Sequence, residues 1–526
     1  MQYAICWSGH LGSFEQTLWQ LSPYLTLLLT GGILLGLDAL RSRWDASRWT
    51  PYVALAGLAG ALVATVTLWG CNEGLLGVLS CDDFALTVNA IVLAAMALVT
   101  LISSEGMRVQ DDHHPGMFYA LLLLAALALC LLGAVTDLVM FFLASEIFGI
   151  ASFATIGYPH GDRRAGEAMV KYLVLSVAMS AMMLYGLSWA FGLAGSTDLL
   201  AISKALSQAD SSLHLMLLSP MILVAVGFVG KVAAVPFHQW LPDVVEGTPD
   251  SVVAFFAVIP ALTGLVGLAR VALVMLPVDV QALDVDLGTL LSAVAVLTML
   301  IGSLVALWQQ NVKRFLAYLG ISQMGYLLVG FVVYFGIAQA NTSDAEVEAI
   351  CQQSVIAVLY GLTAYALSML GVLAAALVLS RHTGSFDIKS YAGMHRRSPE
   401  LAWPMILCLL SLVGFPPAGF VGRLYLFSAA VEAGLLWLVI VGAVNSVVLL
   451  ACAWKIARVL FVAPPAAPLP GTMPSPPDPA ETETHLTVSP VLAVVLGACV
   501  TGLLAMTVFA NPILTLLQAA AQALFG

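Results

Sequence analysis

Runs of about twenty apolar residues recur along the whole chain, and nothing else in the sequence constrains the fold so strongly. Each run, as a helix, is long enough to cross about 30 Å of hydrocarbon. Of 526 residues, 61% are hydrophobic and 9% charged, whereas a soluble domain carries about 25% charged residues. The chain is therefore predicted to be an all-α polytopic membrane protein whose immediate partner is the lipid bilayer. About 14 spans are expected, centred near residues 31, 61, 94, 125, 147, 182, 228, 263, 297, 326, 367, 416, 447 and 504. The net charge of −11 says little about acidic or basic partners, because the signs are sorted by membrane side.

Of the 19 Lys and Arg, 15 fall in or beside alternate connections: 41/43/48, 108, 163/164/171, 313/314, 381/389/396/397 and 455/458. Lys204 lies in an opposite loop, and Lys231, Arg270 and Arg423 lie within spans. The positive-inside rule places those connections in the cytoplasm and both termini on the outer face. The first sixteen residues show no basic segment or cleavage site, so the first apolar run is read as retained. The eight cysteines form no CxxC and no Cys/His metal spacing. Cys71 and Cys81 share a short loop and are placed to bridge if that loop faces an oxidising compartment. Eight prolines between 464 and 479 predict an irregular cytoplasmic loop that tethers the last span separately from the core.

Two spans carry a break. In "GFVGKVAAVPFHQWLPDVVEGTP", Lys231 and Pro236 interrupt an apolar stretch. In "LCLLSLVGFPPAGFVGRLYLF", Pro416-Pro417 do so, followed by Arg423. Proline removes a helix donor and frees a carbonyl. Broken backbone at membrane depth survives only inside protein or beside a wet cavity. Each break falls in the fourth span of a run of five, spans 4–8 and 9–13, and the two broken spans run in opposite directions. This predicts two inverted five-helix repeats with an ion path between them. The expected units are residues 1–110 with three spans, 117–277 and 286–462 as the repeats, 463–485 as the loop and 486–526 as the last span.

Glu146 lies about ten residues, or roughly 15 Å, into its span, near the midplane. Lys231 lies at similar depth. Charges there cost several kcal/mol and are paired or hydrated, so a Glu146–Lys231 pair is expected, in contact directly or through one water. A lysine titrates when desolvation and a nearby carboxylate act on it in opposite directions. Arginine stays protonated and cannot hand on a proton. His238, just after the first break, is a second candidate relay. Asp38 and Glu105 sit near span ends and are expected to reach the headgroups.

These residues carry a resemblance. "KVAAVPFHQWLPDVVEGTPDSVVAFFAV" resembles the lysine-bearing broken span of the antiporter-like membrane subunits of respiratory complex I. "EAMVKYLVLSVAMSAMMLYGLSWAFGLAGSTDL", "NVKRFLAYLGISQMGYLLVGF" and "LYLFSAAVEAGLLWLVIVGAVNSVV" fit the complex I branch more closely than Mrp-type antiporter subunits. The likeness covers roughly residues 80–460. It implies that Glu146 and Lys231 stand at the family's fifth-span glutamate and seventh-span lysine. Two positions depart: Ala261 stands where the family usually has an eighth-span lysine, and Arg423 where it has a twelfth-span lysine. Thr263 or water is left to bridge the gap at 261.

The resemblance implies a proton-translocating, non-redox subunit of an NADH:quinone oxidoreductase in a bacterial inner membrane, among other membrane subunits. No flavin, haem or iron–sulfur motif is present, so no cofactor is expected on this chain, and no nucleic-acid partner. The alternatives are an Mrp-type or hydrogenase-linked cation/proton antiporter subunit, and a scaffold that keeps the fold without pumping.

Overall fold

The computed structural model describes residues 13–40, 49–110, 115–158, 162–207, 214–275, 287–337, 344–462 and 488–525. The chain begins with α1 (Ser13–Gln20), α2 (Ser22–Ala39) and α3 (Thr50–Thr67), then a hairpin of β1 (Glu73–Leu75) and β2 (Leu79–Cys81). Next come α4 (Asp83–Gln110), α5 (Pro115–Ala134), α6 (Leu138–Gly157), α7 (Arg163–Ala194) and α8 (Leu199–Ser207). The centre holds α9 (His214–Lys231), α10 (Trp240–Gly247), α11 (Asp250–Met275), α12 (Leu287–Trp308), α13 (Val312–Gly336) and α14 (Asp344–Thr383). A short α15 (Met394–Arg397) leads to α16 (Pro399–Leu412), α17 (Ala418–Glu432), α18 (Leu436–Phe461), α19 (Pro490–Val508) and α20 (Ala510–Phe525).

Twelve of these helices are long and apolar enough to cross a membrane. The apolar runs centred near 228 and 416 are instead split, between α9 and α10 and between α16 and α17. Together they account for the fourteen expected spans. Burial sorts the helices into layers. The most apolar windows of α11, α13 and α14 are 100%, 94% and 89% buried, whereas those of α2, α3, α18 and α19 are a third buried or less. The first three are the shared core, and the others turn most of their surface to lipid. A helix apolar all round belongs in such a core.

Helix starts follow local chemistry. Proline occupies the first turn of α2, α3, α16 and α19, where its missing N–H costs nothing. Asp137 caps α6 by accepting from the N–H groups of Val139 and Met140, and Asn311 caps α13 in the same way through Lys313 and Arg314. The backbone beside each cap is bridged alike. Leu138 N–H donates to Thr197 O (2.8 Å) and Leu199 N–H to Thr136 O (2.9 Å). Val312 N–H donates to Phe386 O (2.8 Å) and Ile388 N–H to Gln310 O (2.9 Å).

Several local expectations change. The loop before α4 contains a hairpin: Leu76, Gly77 and Val78 join β1 to β2, with Leu76 and Gly77 at positive φ. Beside it Cys71 and Cys81 are in mutual contact as thiols and not as a disulfide, and burial pushes the Cys81 thiol up to about 12. Asp38 does not reach for headgroups. It accepts from the N–H groups of Gly116 (3.1 Å) and Met117 (2.7 Å), capping α5. Glu105 is buried and meets Arg381 of α14 at 3.4 Å. The proline-rich segment lies outside the described residues. The last span is not set apart: α19 packs on α14, α4 and α16, and Tyr360 of α14 donates to Met506 O (2.8 Å).

Candidate functional site: two interrupted helices and their buried cations

Both breaks end a helix in the same way. At the first, Ala233 is in the left-handed region (φ +57°), Ala234 N–H donates to Val229 O (2.9 Å) and Ala233 N–H to Gly230 O (3.1 Å). At the second, Gly414 has φ +81°, Phe415 N–H donates to Leu410 O (2.9 Å) and Gly414 N–H to Ser411 O (3.0 Å). These paired bonds are a Schellman terminus. In each case a cis proline follows three positions later, Pro236 and Pro417.

The backbone groups freed by the breaks find partners within the protein. Trp240 Nε1 donates to Gly230 O (3.1 Å), and Val235 N–H donates to Thr298 Oγ1 of α12 (3.0 Å). At the second break, Arg423 Nη1 donates to Val413 O (2.8 Å), and Gly419 N–H to Ser411 Oγ (3.1 Å). A glycine at 414 is required twice over. Beyond its positive φ, a Cβ there would lie 2.1 Å from Arg423 Cζ.

The cations converge on these ends from different places. Lys231 is the last residue of α9, and its Nζ, 7% exposed with the rest of the residue, donates to Ser145 O of α6 (3.4 Å). Arg423 comes from α17, beyond its break, and folds back to the end of α16. Both therefore place positive charge at the negative end of a half-helix. Glu146, next to Ser145, acts electrostatically on Lys231. No ion pair within 4 Å joins the two among the described residues. The Glu146 carboxylate accepts from Ser180 Oγ of α7 (2.5 Å). Ser145 Oγ beside it is buried without a partner.

His238 follows the first break half-buried, and its Nδ1 is enclosed with no partner. Ala261 is buried in the middle of α11. Thr263 is fully buried and donates to Ile259 O of its own helix (2.9 Å), so its proton is already committed.

Much of the polar interior comes from residues that sequence reasoning passed over. Arg423 also donates to Ser446 Oγ (2.9 Å) and Gln323 Oε1 (3.1 Å) and lies 3.8 Å over the Tyr326 ring. Tyr326 donates to Gly442 O (2.7 Å) and accepts from Asn445 (3.2 Å), whose Oδ1 accepts from Ser303 (2.5 Å). The polar letters in "GISQMGY" and "AVNSVV", set inside apolar runs, were the available signal. Elsewhere Arg270 of α11 meets Asp82 at 2.7 Å, and Lys313 meets Asp250 at 2.9 Å. On α10, Asp243 meets Lys171 (3.1 Å) and Arg314 (3.0 Å), and Glu246 meets Arg314 (2.7 Å). These pairs fasten the segment after the first break to α7 and α13.

A cavity of about 190 Å³ opens beside the first break, lined by Val229, Pro236, Phe237, Leu291 and Val294 among other apolar side chains. Such a lining offers nothing to hold water, so this cavity is not a proton route. Among the described residues, no three His, Cys, Asp or Glu side chains cluster as metal ligands.

A helical membrane protein with two interrupted spans, each bearing a buried cation at its break, has the architecture of the membrane-transporter class. The chain belongs to the family described as NADH:quinone oxidoreductase/Mrp antiporter, transmembrane, which it matches over residues 135–449. NADH-quinone oxidoreductase subunit N of Heliobacterium modesticaldum is 37% identical over 429 residues, covering 81% of this chain and 85% of the relative. The fold is that of a chain in respiratory complex I from Thermus thermophilus (TM-score 0.72, 23% identity, 94% and 98% of the two chains covered). It is equally that of a chain in the Mrp complex from a Dietzia species (TM-score 0.77, 20% identity, 98% and 100% covered).

Proposed function

We propose that the chain is a proton-translocating membrane-arm subunit of a complex I-type NADH-quinone oxidoreductase, assembled with other membrane subunits in a bacterial inner membrane. Electrons pass on partner chains, and this chain contributes no redox centre. The observation that carries the reading is Lys231. It is an ammonium group buried at the end of a half-helix, with one long hydrogen bond to a carbonyl and a carboxylate, Glu146, acting on it from the next residue of α6. A charge so weakly held can be released when Glu146 moves or is neutralised. Glu146 is the proposed electrostatic gate, Lys231 the proton carrier and His238 a relay beyond the break. Arg423 is a fixed charge, because a guanidinium does not give up its proton.

The two Schellman breaks and the matched bridges at Asp137 and Asn311 support two inverted repeats, residues 117–277 and 286–462. The units 1–110, 463–485 and 486–526 complete the proposed organisation. With the basic connections in the cytoplasm, the Asp137 bridge faces outward and the Asn311 bridge inward, as inversion requires. The same orientation puts both termini on the outer face.

The test is proton translocation per electron in the assembled complex carrying Lys231→Ala. Severe loss at normal assembly is expected. Unchanged translocation would leave the chain as a scaffold. That second reading draws on Ala261 and Arg423, which place no titratable group at two positions where the resemblance implies lysine.

A further inference from the structure

Among the described residues two arginines are buried in the membrane region, and they are compensated differently. Arg270, 4% exposed, is neutralised by Asp82 at 2.7 Å. Arg423, 8% exposed, meets only neutral oxygens: Val413 O, Ser446 Oγ and Gln323 Oε1. No carboxylate pairs with it among the described residues. A buried charge left without an opposite charge is costly.

Beside Arg423 lies a cavity of about 30 Å³, lined by Gln323, Tyr326, Ser411, Gly419 and Arg423 among others. That is room for a particle of one or two water molecules' size. Around Arg423 the hydrogen-bonding capacity left over at its wall is that of donors. Gln323, 91% buried, has its Nε2 wholly unpartnered. Arg423 uses three of its five N–H groups, leaving two. Ser411 Oγ already accepts from Ser368 Oγ (2.9 Å) and Gly419 N–H (3.1 Å), leaving its own proton. The side-chain acceptors beside Arg423 are occupied: Gln323 Oε1 by Arg423, and Tyr326 by Asn445. Tyr365, also on the wall, donates away to Ala257 O (2.6 Å), and its oxygen is the one side-chain acceptor there with no donor of its own among the described residues. The first turn of α17 adds the positive end of a helix dipole.

We propose that this cavity binds a small monovalent anion of halide size, held by Arg423, Gln323 Nε2 and Ser411 Oγ. A water would satisfy donors but leave the guanidinium uncompensated, and a carboxylate side chain has no room to enter. The inference does not rest on proton translocation, since Arg423 needs a counter-charge whether or not the chain pumps.

Two measurements test it. Diffraction from the protein equilibrated with sodium bromide, collected at the bromine edge, is expected to show an anomalous peak between Arg423, Gln323 and Ser411. A cavity filled by a scatterer without bromine signal overturns the proposal. The full-length chain in detergent is expected to unfold a few degrees higher in sodium chloride than in sodium gluconate at equal ionic strength, and Arg423→Gln to abolish that difference. A chloride effect of the same size in Arg423→Gln overturns it. The bromide experiment uses the unaltered chain, so it decides the matter even where the variant does not fold.

Discussion

Arg423→Lys separates charge from shape at the second break. The guanidinium makes three hydrogen bonds of 2.8–3.1 Å and stacks 3.8 Å from the Tyr326 ring. A lysine at this position keeps the charge but has one nitrogen, and it cannot hold Val413 O, Ser446 Oγ and Gln323 Oε1 together. Hydrogen bonds to a charged group contribute about 1.5–3 kcal/mol each, so losing two of three removes roughly 3–6 kcal/mol before relaxation. Water entering the neighbouring cavity recovers part of this. A net loss of about 3 kcal/mol remains, on the order of a hundredfold in the folded-to-unfolded ratio. Thermal inactivation of the assembled complex is expected to come at lower temperature. Proton translocation per electron, compared at matched assembly, is expected to hold or rise, because lysine can titrate where arginine cannot. Unchanged thermal stability would refute the view that the fork holds the break together. A fall in translocation at matched assembly would refute the view that arginine is a fixed, non-relaying charge.

Asp82→Asn leaves Arg270 uncompensated and is expected to cost about 3–5 kcal/mol, read as loss of folded chain in detergent; Asp82→Leu with Arg270→Met is expected to recover most of it. Gly414→Ala meets both the φ of +81° and the 2.1 Å approach to Arg423 Cζ, so it is expected to lower the yield of folded chain sharply, whereas alanine at Gly434 (φ +77°), which has open space, costs only backbone strain of about 1–2 kcal/mol. Trp240→Phe keeps an aromatic ring but removes the bond to Gly230 O and leaves a cavity where the buried indole lay, with an expected loss of about 2–3 kcal/mol, checked by comparing unfolding midpoints.

The breaks were legible because each joins proline to a basic residue inside an apolar run, Pro236 with Lys231 and Pro416-Pro417 with Arg423; proline alone marks no break, since Pro220, Pro260 and Pro404 stand within helices. Lys231 and Arg423 were legible as charges where charge is expensive. What they touch was not. The partner of Arg270 is Asp82, 188 residues away in a loop, and no periodicity links two such positions. Asp38 and Glu105 were misread because depth was judged along their own helices, while their partners belong to α5 and α14. The Ser303–Asn445–Tyr326 chain was hidden differently: serine, asparagine and tyrosine are common enough in apolar helices that only convergence from α12, α13 and α18 gives them meaning.

The docking of α19 and α20 onto α14 sets a timetable for biogenesis. Cys499 of α19 sits where a Cβ on Gly371 of α14 would come within 3.1 Å, and α20 reaches α4 and α11 as well. One side of the long central helix is therefore covered by residues synthesised more than a hundred positions later. Until residues 490–525 leave the ribosome and insert, α14 exposes a face shaped for helix to lipid or to whatever factor escorts the nascent chain. The bundle cannot close in the order in which it is made, because the central helix stays uncovered until the last two helices arrive.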